Sequence, residues 1–212
     1  MKNTTGPICA FLVILFYAVG FVGLSDHLYT NLFKQLIPFH LLLMLVLMVI
    51  SHDDKNRSFW LFLLITYTAG FLVELLGVHT GAIFGDYAYG ATLGLKVAET
   101  PLMIGVNWIL VIYSAGVLTE KFGIESNVLK SLLGALLVTV LDFIIEPVAI
   151  AYDFWSWKNT EVPFQNYVGW FVFSFLMFWF FFRMRFRKNN LAAIALFIVQ
   201  FLFFFVLNMK LL

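Results

Sequence analysis

Charge is scarce in this sequence. Asp, Glu, Lys and Arg make up 12% of the 212 residues against 62% apolar, and the mean hydropathy is +0.95. A soluble domain needs a charged shell, so this composition excludes one and leaves lipid as the solvent. The net charge is +1, which gives neither a basic field for nucleic acid nor an acidic tail. Cysteine is limited to Cys9, so an internal disulfide is excluded. No Cys/His pair has zinc spacing, and neither His-x-x-x-His nor Glu-x-x-His occurs, so no metal is expected. A P-loop, a Rossmann fingerprint, a Cys nucleophile and a Ser/His/Asp constellation are also missing. An enzyme built from this chain is expected to work without a bound cofactor.

Long apolar runs fill the rest. A membrane span needs about 20 mostly apolar residues at about 1.5 Å rise each. Seven segments come close, at about 7–24, 33–50, 58–77, 101–119, 128–150, 167–182 and 191–208. They lack period-two alternation, so helices are expected rather than strands. The fold class is therefore an all-α polytopic membrane helix bundle forming one membrane-embedded domain over 1–212, with Pro38 and Pro147 as places for kinks. The first run could pass for a signal peptide, but it is long and Ala18-Val19-Gly20 is a poor cleavage site. It is expected to stay as a span.

Basic residues give an orientation. With the N-terminus inside, the inner loops hold Lys2, Lys55, Arg57, Lys121, Lys130, Arg183, Arg185, Arg187 and Lys188, and the outer ones Lys34, Lys96, Lys158 and Lys210. That distribution predicts N-in and C-out, multi-pass in the cell membrane. The Arg183 to Lys188 cluster reads as a topology signal and a contact for anionic lipid. Two longer outer loops, about 78–100 and 151–166, are rich in Gly, aromatic and acidic residues. Such loops usually carry function.

Ionisable groups inside spans are costly and point to function. Three occur: Glu74 on the third span, and Asp142 and Glu146 on the fifth, where a spacing of four puts them on one helix face. Asn107 on the fourth span lies at a similar depth from the same side. Four polar groups from three helices thus gather in the outer half of the bilayer. A buried carboxyl can also be a plain helix-to-helix hydrogen-bond partner, and Glu146 could serve backbone groups freed by Pro147. Three carboxyls together argue for chemistry. In the first outer loop, Asp86, Tyr87, Tyr89 and His79 could line the mouth of a site; in the second, Trp155, Trp157 and Asn166 could do the same. The competing reading of these aromatics is an interfacial belt.

These residues form a recognisable set. Glu74-Leu75-Leu76-Gly77, Gly81-Ala82-Ile83-Phe84-Gly85-Asp86-Tyr87-Ala88-Tyr89, Thr100-Pro101-Leu102 and Asn107-Trp108 form one group of strings. Leu141-Asp142, Glu146-Pro147, Trp155-Ser156-Trp157 and Pro163-Phe164-Gln165-Asn166-Tyr167-Val168-Gly169-Trp170 form the other. Over about 58–182 the sequence resembles the CruF-type carotenoid hydratases. It departs from their Tyr-Gly-x-Pro lead-in, reading Asn159-Thr160-Glu161-Val162-Pro163.

The resemblance implies addition of water across the terminal C1–C2 double bond of an acyclic carotenoid end, giving a tertiary alcohol. The partners are then a lipid-soluble carotenoid, water and membrane lipid. Such chemistry needs an acid able to protonate carbon, and a carboxyl in a dry site holds its proton for that use. On this reading Asp142 is the acid, Glu146 or Glu74 handles water, and Asn107 and Asp86 support them. A membrane carotenoid cyclase would use the same proton donation without water. A transporter subunit would bind a small solute and leave pigments unchanged.

Overall fold

The computed structural model describes residues 5–211, and Lys2 lies outside them. Among the described residues there are seven helices long and apolar enough to cross a membrane. They are α1 (Thr5–Ser25), α2 (Thr30–Ser51), α3 (Arg57–Thr80), α4 (Leu102–Glu120), α5 (Asn127–Ala151), α6 (Phe164–Arg183) and α7 (Leu191–Leu211). Two small antiparallel sheets sit in the longer loops. One pairs β1 (Tyr87–Tyr89) with β4 (Trp155–Trp157), the other β2 (Lys96–Val97) with β3 (Thr100–Pro101). The protein is a multi-pass membrane helix bundle, as the apolar runs predict.

Helix limits follow local chemistry. The Asn56 side chain caps α3 by accepting the Phe59 N–H at 3.1 Å, and Ser126 caps α5 through the Leu129 N–H at 3.4 Å. Pro101 and Pro163 precede α4 and α6; neither has an N–H to waste at a helix start. Helix α3 runs one turn past its apolar run and stops at Gly81, whose φ of 64° suits a residue without Cβ. His79 is therefore helical. Helix α6 starts earlier than its apolar run, so Gln165 and Asn166 belong to its first turn rather than to a loop.

Loops join the helices at two ends. At the basic end, Asn56 donates to the Arg185 carbonyl, Asp54 accepts from the Arg187 N–H, and Lys121 donates to Asn189. At the strand-bearing end, β1 pairs with β4 and the Tyr152 hydroxyl donates to the Leu24 carbonyl. Helix α4 is the most buried of the seven and packs against α3, α5, α7, α2 and α6. The bundle has its core around it.

Candidate active site

Apolar spacing and the i, i+4 rule bring Asp142 and Glu146 onto one inward face of α5, where both are 2% exposed. Glu74 on α3 is 3% exposed. All three, with Asn107 of α4 and Asn166 of α6, line one cavity of about 370 Å³. The rest of the wall is mainly hydrocarbon from α1, α2, α4 and α7, and no Lys or Arg lines it.

The β1–β4 ribbon closes the cavity at the strand-bearing end. Its register sets Tyr87 opposite Trp157 and Tyr89 opposite Trp155, with Ala88 facing Ser156. Successive strand side chains point to opposite faces, so Tyr-Ala-Tyr and Trp-Ser-Trp put four aromatics on one face. That face is the cavity side; Ala88 and Ser156 are exposed on the other.

The polar tips of these aromatics reach the carboxyls. The hydroxyls of Tyr87 and Tyr89 donate to Glu74 Oε2 at 2.6 and 2.7 Å, and Trp108 Nε1 donates to Glu74 Oε1 at 3.0 Å. Burial, then the adjacent Glu74 charge, push both phenols above their ordinary pKa of 10, so they remain donors. Trp155 and Trp157 donate to Glu146 Oε2 at 3.0 and 2.9 Å. Asn166 Nδ2 bridges the pair on α5, at 2.8 Å from Asp142 Oδ2 and 3.3 Å from Glu146 Oε1. Glu74 and Glu146 thus have donors on both oxygens. Asp142 has one donor, and its Oδ1 bonds to no described residue.

The remaining residues of interest divide. Asn107 lines the cavity but bonds to no described side chain. Asp86 and His79 lie outside. Asp86 pairs with Lys158 at 3.3 Å in a shallow hollow on the outer face of the ribbon, and the exposed His79 turns back to the Leu75 carbonyl at 2.9 Å. Both follow from geometry: Asp86 precedes β1 in the register that sends Tyr87 inward, and His79 sits on the exposed side of the last turn of α3. Glu146 takes its bonds from indoles and an amide rather than serving the backbone around Pro147.

Several residues in or behind the wall were given no role from the sequence. Trp108 gives Glu74 its third donor, and Trp170 stacks on it with centroids 4.3 Å apart. Tyr17, His40 and Gln200 line the cavity from α1, α2 and α7. The adjacency of Trp108 to Asn107 was the available signal for the first. For the other three, no local pattern marks them.

Comparison with known proteins completes the picture. Residues 35–212 match the family described as "Carotenoid biosynthesis protein". The chain belongs to that family. The match takes in all three carboxyls, the ribbon and every cavity helix except α1. A curated relative, the bisanhydrobacterioruberin hydratase of Haloarcula japonica, is 29% identical over 124 residues. That alignment covers 55% of this chain and 42% of the relative, so the chain matches less than half the relative's length. No solved structure matches significantly.

Proposed function

We propose that this carotenoid biosynthesis protein is a cofactor-independent hydratase. It adds water across the terminal C1–C2 double bond of an acyclic carotenoid end to give a tertiary alcohol. The observation that carries the reading is the unequal solvation of three carboxyls in one hydrocarbon-walled chamber. Two have donors on both oxygens, the pattern that suits a carboxylate anion. Asp142 alone keeps an oxygen free to hold a proton and face the substrate. The relative named as a hydratase and the family membership support the same chemistry.

Asp142 gives its proton to C2, and the alkene π electrons form the new C–H bond, leaving a tertiary cation at C1. The fixed charge on Glu74 and the ring faces of the ribbon stabilise that cation; each cation–π contact contributes about 0.5–2 kcal/mol. Water bonds through oxygen to C1 and sheds a proton to Glu146, one helical turn from Asp142. The pair then recovers its starting protonation, and the net change is one added water. Asn166 holds the two carboxyls in register throughout.

The hydrocarbon tail needs a route from the bilayer. Phe16 and Val19 on α1 and Leu36 and Phe39 on α2 line the cavity and are also exposed on the bundle surface. The substrate end enters sideways through this seam. In this reading the protein lies in the cell membrane, N-in and C-out, with the ribbon end outside.

Expression in a host that makes lycopene or γ-carotene, with mass analysis of the pigments, tests the proposal. A gain of one water in the wild type, and none in D142N or E146Q proteins that still reach the membrane, is expected. An unchanged mass with a new ring would instead identify a cyclase, and unchanged pigment would remove the enzymatic reading.

A further inference from the structure

Apart from the carboxyls, the cavity carries a second polar group on helices that hold no acid. Tyr17, His40 and Gln200 come from α1, α2 and α7. At about 1.5 Å per residue they lie about 12–17 Å from the strand-bearing ends of their helices, and Asp142 lies about 13–14 Å from its own. They are thus at about the depth of the proposed acid, on other helices. Gln200 is 4% exposed, and its Oε1 has no hydrogen-bond partner. Neither the Tyr17 hydroxyl nor the His40 ring bonds to any described residue; the two rings meet edge to face at 4.8 Å.

A buried amide carbonyl without a partner is costly and calls for a donor. Gln200 lines the cavity, so a molecule in the cavity can supply one when the amide turns toward it. The walls around Gln200 offer hydrocarbon and no cation, so an anionic ligand has no counter-charge there. A neutral O–H fits, and water is the one that the proposed reaction requires. The carboxyls are poor seats for it: both oxygens of Glu74 and Glu146 already accept fixed donors, and the free oxygen of Asp142 is the one assigned the proton. A buried water needs two to four polar partners, and Gln200, Tyr17 and His40 provide that number.

We propose that Gln200, completed by Tyr17 and His40, is the positioning residue for the attacking water. This inference rests on the hydratase reading. Asp142 then protonates C2, the water held by Gln200 bonds to C1, and the protonated alcohol, free to turn about the new C1–C2 single bond, gives its proton to Glu146. Without that seat the cation still forms. It then loses a neighbouring proton instead, giving a double-bond isomer with no net change in formula.

The test uses the full chain in membranes, with lycopene as the probe and deuterated water as solvent. Wild type is expected to give the hydrated product. Q200M should lower the yield at least tenfold and accumulate a deuterated isomer of the starting carotene. Y17F, which removes one hydroxyl and keeps the ring contacts, should shift the same ratio in the same direction by less. Hydrated product at wild-type level from both variants overturns the proposal, and so does a loss of it with no deuterated isomer. Absence of hydrated product from the wild type removes the hydratase reading itself.

Discussion

Donor number separates three otherwise similar acids. Glu74 and Glu146 each receive three N–H or O–H groups, Asp142 one. Glu74 is therefore better suited to stay charged than to give a proton. Replacing it by Gln keeps most hydrogen bonds and removes the charge, so turnover should fall about 100-fold, the scale of losing one electrostatic stabiliser. Replacing Trp108 by Phe deletes one donor while the ring can still stack on Trp170. About 1–2 kcal/mol is expected, read as a roughly tenfold drop in kcat with KM little changed. A change confined to KM would contradict the role given to Glu74. All three carboxyls were legible in the sequence because charge inside a span is so rare. Their individual partners were not, since Tyr87, Tyr89 and Trp108 lie 13 to 34 residues from Glu74 along the chain.

At the scale of elements, the ribbon is where sequence and structure differ most. Tyr-Ala-Tyr and Trp-Ser-Trp are visible as strings, and their period of two is a strand signal. Three residues are too few to tell a strand from a boundary anchor, and nothing local shows that segments nearly 70 residues apart pair. The seven helices were legible because each is a long apolar run, but their ends were off by up to a turn where caps and prolines decide. One close contact ties the turn before the ribbon to the bundle: a Cβ at Gly169 of α6 would lie 2.6 Å from the Ile83 carbonyl and 2.8 Å from the Phe84 ring. G169A should therefore push α6 away from this turn and displace Asn166 one turn earlier. A loss of about 1–3 kcal/mol is expected in unfolding from detergent, with hydration falling further than stability explains. An unchanged variant would show that the turn yields freely.

At the scale of the whole molecule, the two ends have different work. The basic end is a structural junction. His52, fully buried after α2, bonds the Tyr113 hydroxyl at 2.7 Å and the Asp54 carbonyl at 2.9 Å, and stacks on Phe59. Nε2 faces a carbonyl and must carry the hydrogen, so Nδ1 accepts from Tyr113. Burial lowers the His52 pKa below its ordinary 6.5, against the raising effect of Asp54 and Asp53. The unfolded chain then binds the proton more readily than the folded one. Stability contributed by His52 is fully present above about 6.5 and is lost as pH falls from there through the folded value. H52Q should flatten that part of the unfolding profile; an equal slope in the variant would assign it to other groups. The proposed N-in, C-out orientation puts the two ends on opposite sides of the membrane. A single reporter cysteine at Lys158 should react with an impermeant reagent added outside cells, and one at Arg185 should not.

In the proposed reaction a proton from Asp142 and a hydroxyl from water are added to one carotenoid end. The most direct measurement incubates wild-type and D142N membranes with the carotene in heavy-oxygen water. A product bearing the heavy oxygen is expected in the wild type and unreacted carotene in D142N. A wild-type product without the label, or labelled product in equal amount from D142N, would contradict it.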